Sequence, residues 1–163
     1  MLVTLLYQSE RVRFGAAGSV ILMQYRLPPT LEELKVVEVY EDQLLMQYAK
    51  ISVFTVSERT NTLLRVPEDV RDYSAELSRK YGSRVIGSAM VVSETGLAAA
   101  MVRTFLAGFL LLTRGALNLR SFRELNEALT WLRSLPEQDI RVKTELTLTD
   151  LERFFSAPFP TAP

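Results

Sequence analysis

Near the start of the chain, the segment Leu2 to Tyr7 and then Arg11-Val-Arg-Phe14 mixes apolar residues with alternation, before the breaker cluster Gly15-Ala-Ala-Gly18. This pattern predicts a strand or hairpin entry. Ser19-Val-Ile-Leu-Met-Gln-Tyr25 is a short β-branched and aromatic run closed by Pro28-Pro29, which predicts a strand buried on both faces. At Thr30-Leu-Glu-Glu33 the period changes. The threonine oxygen can accept from the third backbone amide while Glu33 reaches back, a capping box. Leu31, Leu34, Val37, Leu44, Leu45 and Tyr48 then recur at helical spacing to about Ala49, leaving Glu32, Lys35, Glu38, Glu41 and Asp42 to face water.

Ile51-Ser-Val-Phe-Thr-Val56 predicts a strand that leaves into the polar loop Ser57-Glu-Arg-Thr-Asn-Thr62. Pro67, Glu68 and Asp69 suit a first helical turn, and a helix is expected to Tyr81 with Gly82 at its end. Arg84 to Val92 reads as another interior strand, turned by Ser93-Glu-Thr-Gly96. Leu97 to Leu112 reads as a helix that is apolar on nearly all sides except at Arg103 and Thr104. A helix covering a sheet needs only one apolar stripe, so some of these side chains require a second cover.

Leu117 to Phe122 predicts a brief strand, and Ser121-Phe-Arg-Glu124 a capping box for a helix with Leu125, Ala128, Leu129 and Leu132 inward, stopped by Pro136. The rest alternates through Ile140, Val142, Leu146 and Leu148, then offers another capping box at Thr149-Asp-Leu-Glu152 ahead of Phe154, Phe155 and a proline-rich end. It reads as an appendage. Residues 1–135 are expected to form one domain and 136–163 a C-terminal extension.

Composition narrows the chemistry. The 163 residues are 48% hydrophobic and 23% charged, the balance of one globular domain. Nineteen Lys plus Arg match nineteen Asp plus Glu, so no net field gathers nucleic acid. There is no Cys and no His, which removes thiol nucleophiles, imidazole bases, the common triads and thiolate or imidazole metal sites. Without disulfides and with no basic-then-apolar opening, a cytoplasmic location is expected. The sixteen-residue apolar helix, interrupted by Arg103, is short of the roughly twenty residues of a membrane span.

The order of elements, the Gly-bounded second strand, the polar loop leading into a helix after Val56, and Glu127-Ala-Leu-Thr-Trp-Leu132 together resemble SpoIIAA-like STAS domains. That family comprises anti-sigma-factor antagonists and their lipid-domain-like bacterial relatives. The resemblance covers Val3 to Leu135 and implies an α/β fold, a mixed central sheet with helices packed against it. It also implies a noncatalytic role in protein interaction or regulation. Antagonists of the family carry an Asp-Ser-Ser-Gly type motif after the third strand, where a kinase partner phosphorylates serine. Here the corresponding place holds Ser57, Thr60, Asn61 and Thr62, without that aspartate and glycine.

Two candidate sites follow. Ser57, Arg59, Thr60 and Thr62 lie in a loop at the carboxyl end of a strand, where open α/β sheets bind ligands or partners and where phosphate could be bound or added. The same hydroxyls also suit local turns and caps. Leu97, Met101, Phe105, Phe109 and Leu112 form the second candidate, a face for self-association or for a protein partner. Its cover is expected either from another copy or from Leu148, Leu151, Phe154 and Phe155 of the extension. A competing reading places a small apolar molecule or lipid in a cleft between the sheet and this helix.

The acidic pairs Glu32-Glu33, Glu41-Asp42 and Glu68-Asp69 read as solvent-facing charges and caps, since neighbouring residues on a helix point apart. No catalytic pair, cofactor or metal is expected. The glycines form no phosphate-cradling motif, and Tyr7, Tyr25, Tyr40 and Trp131 lack the basic interleaving of a base-stacking platform.

Overall fold

The computed structural model describes residues 1–58, 66–92, 100–101, 104, 106–108, 111 and 117–160. Its strands β1 (Thr4–Gln8), β2 (Val12–Ala17), β3 (Val20–Tyr25), β4 (Ile51–Ser57), β5 (Val85–Val92) and β6 (Leu119–Phe122) form a single sheet in the order of the chain. The first three strands are an antiparallel meander, and β3 to β6 run parallel. The β2–β3 turn needs Gly18, whose φ of 58° is strained for residues with a Cβ.

Parallel neighbours require crossovers, and these are helical. Helix α1 (Leu31–Gln47) joins β3 to β4, and α2 (Glu68–Tyr81) leads into β5. The Thr30 capping box forms as the sequence predicts, with both of its hydrogen bonds present. Residues 100, 101, 104, 106–108 and 111 are helical between β5 and β6, in the segment where the sequence predicts its apolar helix. After β6 come α3 (Leu125–Ser134), α4 (Ile140–Glu145) and α5 (Leu148–Ser156).

Helices cover both faces of this mixed sheet. On one face, Phe14, Ile21, Met23, Ile51 and Val53 meet Val37, Leu44 and Leu45 of α1 and Leu77 and Tyr81 of α2. On the other, Val20, Leu22, Phe54, Ala89 and Val91 meet Leu129 and Leu132 of α3, Val142 of α4, and Leu151, Phe154 and Phe155 of α5. A bulge where Ile51 pairs Val85 but Ser52 pairs Gly87 shifts the alternation along β5. Val85, Ser88, Met90 and Val92 consequently lie on the α1–α2 side. Gly87 faces α3, where a Cβ would meet Leu135 and Trp131 at 2.6 and 2.9 Å, so this close approach requires glycine.

Several local expectations change. Ser121 lies in β6, and the N-cap of α3 is Glu124, which makes no side-chain cap bond. The last capping box is formed by Thr147 and Asp150, not by Thr149 and Glu152. The alternating run after Pro136 holds α4, capped by Asp139, with Val142 packed on the sheet face that α3 and α5 also cover.

The expected division at residue 135 separates helices that share one core. Val142, Leu146 and Leu151 are fully buried against the sheet, and Phe155 stacks on Phe54 with centroids 5.8 Å apart. Residues 140–156 therefore supply much of the cover for one sheet face. The N-terminus is tied to the same region, Met1 donating to the Glu145 carbonyl and to Asp150.

Candidate functional site

A cavity of about 180 Å3 lies between the sheet and α1–α2. Its floor is Met23, Val53, Thr55, Ser88 and Met90, its walls are Leu34 and Val37 of α1 and Val70, Ser74 and Leu77 of α2, and Leu106 and Leu119 close one side. The position follows from topology. Tyr25, Thr55 and Met90 sit toward the carboxyl ends of parallel strands, beneath α1 and α2, which cross on the same face of the sheet.

Glu41 belongs to this wall. It is four residues after Val37 and three before Leu44, a position on the inward stripe of α1, and it is 7% exposed. The expectation that Glu41 faces water is thus overturned: helical geometry carries it inward with the apolar residues. Its Oε2 is buried and has no hydrogen-bond partner among the described residues. Burial pushes its carboxyl up to about 8, with further raising by Asp42 and Glu38 and an opposing pull from Lys80.

The surroundings are asymmetric in charge. Glu33 is also buried, but it is engaged, accepting from the Thr30 amide and from the Ser9 hydroxyl. Burial pushes the Tyr25 phenol up, helped by Glu41 and Glu33. Outside the cavity, Lys80 donates to Glu38 Oε1 at 2.7 Å, Tyr73 also donates to Glu38, and Tyr81 donates to Asp42 at 2.6 Å. Lys80 chiefly, then Tyr73, holds the Glu38 carboxyl below its usual range. These bonds clamp α1 to α2 along the cavity's outer side. Near the first turn of α2, Arg71 approaches Glu68 at 3.9 Å, while its buried Nε is unpartnered.

A second hollow of about 260 Å3 lies beside Met1, Arg13 and Asp150. Arg13 and Asp150 are already committed. Arg13 is 1% exposed and donates to Gln24 and to the carbonyls of Phe154, Ala157 and Pro158, while Asp150 serves the N-terminus and the α5 cap.

The residues singled out in the sequence do not assemble into one site. Ser57 ends β4 and is buried, and it has bonding contacts of its own. Arg59, Thr60 and Thr62 lie outside the described residues, as do Leu97, Phe105, Phe109 and Leu112. Met101 is helical and 46% exposed. Leu106, on the same segment, is buried with Val92 and touches Met90 and Leu119, on the α1–α2 side. Leu148, Leu151, Phe154 and Phe155 pack in the core on the sheet face opposite Leu106. Among the described residues, no cluster of three or more carboxylates suits a metal ion and no helix is long and apolar enough to cross a membrane.

The sequence signal for Glu41 was present, a carboxylate at the centre of an apolar stripe. Its depth depends on what the helix packs against, which the stripe alone does not reveal. In comparisons with known proteins, the chain matches no family model, no curated protein and no solved structure.

Proposed function

We propose that this protein is a noncatalytic, cytoplasmic STAS-like module that holds a small apolar molecule between its sheet and α1–α2, as a carrier or sensor. The observation that carries this reading is the cavity itself, apolar on most sides with Glu41, Tyr25 and Thr55 converging on it. At about 180 Å3 it is below the roughly 300 to 1,000 Å3 of sites for drug-sized molecules and near the ~150 Å3 that admits benzene. That volume suits a ligand of single-ring size. The STAS-like assignment rests on the element order and on the stretch from Glu127 to Leu132.

The test is methyl NMR with benzene and toluene as probes. Saturable shifts confined to Leu34, Val37, Val53 and Leu77 support the reading, and shifts absent there, or scattered over the surface, reject it.

Exposed Met101 and Leu111, at 46% and 80%, favour a second reading in which the helical segment between β5 and β6 meets a second copy. Sedimentation of the wild type and of Met101→Glu decides it. A dimer lost in the variant supports that face, and a wild-type monomer at tens of micromolar removes it.

A further inference from the structure

A buried carboxyl oxygen without a partner selects its ligand by charge and hydrogen-bonding capacity as well as by shape. We propose that the cavity takes a small apolar amine, its ammonium group against Glu41 Oε2 and its hydrocarbon body among Leu34, Val37, Val53 and Leu77. The inference rests on the ligand-binding reading above and specifies the chemistry of what is bound.

Three observations converge on a cationic donor. First, Glu41 is more than nine-tenths buried on a wall that is otherwise largely apolar, and its Oε2 lacks the hydrogen bond that buried polar atoms ordinarily make. A ligand N–H supplies that bond.

Second, the charges around Glu41 are predominantly negative. On its own helix stand Glu33, Glu38 and Asp42; the neighbouring strand β3 contributes Tyr25, and α2 contributes Tyr81 and Lys80. Lys80 is spent on Glu38 and Asp42, at 2.7 and 3.7 Å. Arg71, on the first turn of α2, also lines the cavity with its buried Nε unpartnered, but its guanidinium approaches Glu68 at 3.9 Å and is not among the groups that move the Glu41 carboxyl. A carboxylate ligand at Glu41 meets like charge, whereas a neutral alcohol gains nothing from the acidic neighbours.

Third, the tyrosines Tyr25 and Tyr81 line the same cavity, and aromatic faces attract ammonium groups.

Proton balance supplies a signature. The carboxyl raised to about 8 is neutral in the empty site at neutral pH. An ammonium ion that pairs with it favours the carboxylate, so one proton leaves Glu41 for solvent as the amine enters with its own charge intact. Amine affinity then rises with pH until Glu41 is ionised in the free protein. A neutral ligand that accepts a hydrogen bond from the carboxyl shows the opposite trend.

The probes are benzylamine, benzyl alcohol and benzoate, which share one ring and differ in the polar end. Calorimetry on the whole chain at about pH 6 and about pH 9, in two buffers of different ionisation enthalpy, reads affinity and proton release together. At about pH 9 benzylamine is expected to bind roughly tenfold or more tighter than benzyl alcohol. Toward pH 6 that advantage narrows and release approaches one proton. Glu41→Gln is expected to keep benzyl alcohol binding and to lose the amine preference. Equal binding of amine and alcohol, or preference for benzoate, overturns the amine inference while leaving a ligand cavity in place. Binding of none of the three overturns both. The proton count on wild-type protein decides the matter even if Glu41→Gln does not fold.

Discussion

Tyr81 donates its hydroxyl to Asp42 Oδ1 at 2.6 Å across the seam between α1 and α2. The residue before Asp42 is Glu41, about 100° around the helix, so the same seam that fixes Asp42 outside carries Glu41 into the cavity. Two adjacent carboxylates thus have opposite environments. Asp42 is part of a surface clamp, and Glu41 is a buried acid.

The first prediction concerns pH and stability. The folded Glu41 carboxyl is raised from about 4.5 to about 8, so between these values the folded chain holds a proton that the unfolded chain has released. Stability therefore falls as pH rises through this window, with a slope approaching about 1.4 kcal/mol per unit, and levels off above it. Glu41→Gln removes the slope. Urea unfolding at unit steps from about pH 5 to pH 9 measures it, and parallel curves for the two proteins reject the buried-acid description.

Filling the cavity separates binding from folding. Thr55 is 4% exposed on the cavity floor, and Thr55→Ile replaces its hydroxyl by an ethyl group in a strand position that tolerates β-branching. The variant is expected to gain about 1 kcal/mol from added burial and to lose binding of ring-sized probes by tenfold or more. Unchanged probe affinity places binding elsewhere.

The helices after Pro136 are structural. Phe155 is 8% exposed and stacks on Phe54, so Phe155→Ala is expected to cost about 3 to 5 kcal/mol in chemical denaturation. A chain ending at Leu135 leaves Leu22, Phe54 and Leu129 without their cover and is expected to show lost near-ultraviolet dichroism. A cooperative unfolding transition in that truncated chain contradicts a shared core.

Arg13 holds the end of α5 and the residues after it. Among the described residues it is a buried cation with no carboxylate within bonding distance, and its guanidinium is divided between the Gln24 amide and three backbone carbonyls. Burial pushes its pKa down and Glu58 opposes that. Arg13→Met leaves those oxygens unpaired, which is expected to cost about 2 to 4 kcal/mol and to speed amide exchange over residues 154–160. Arg13→Lys recovers part of this, because one ammonium cannot span the fork.

Sequence and structure agree where the information is local. The Thr30 box starts α1 because its donor and acceptor lie three residues apart, and β4 lies where Ile51 to Val56 offers continuous strand propensity. At Ser121 the same local pattern misleads. Serine and Glu124 have capping spacing, yet parallel pairing with Met90 draws Ser121 into β6. The C-terminal run reads as an appendage from its sequence, yet Val142, Leu146 and Leu151 are drawn into the core as α4 and α5 cover one face of the sheet.

The sequence by itself determined the α/β class, the start of α1, the interior strands and the absence of thiol and imidazole chemistry, because each depends on residue type or on neighbours within a few positions. Only the tertiary structure decided that residues 140–156 belong to the core, that Phe154 and Phe155 lie across the sheet from the Leu106 segment, and that Glu41 is an inward acid while Asp42 is not. Those facts depend on which surfaces meet. Burial is a property of two elements together, and no single stretch of chain encodes what will lie against it.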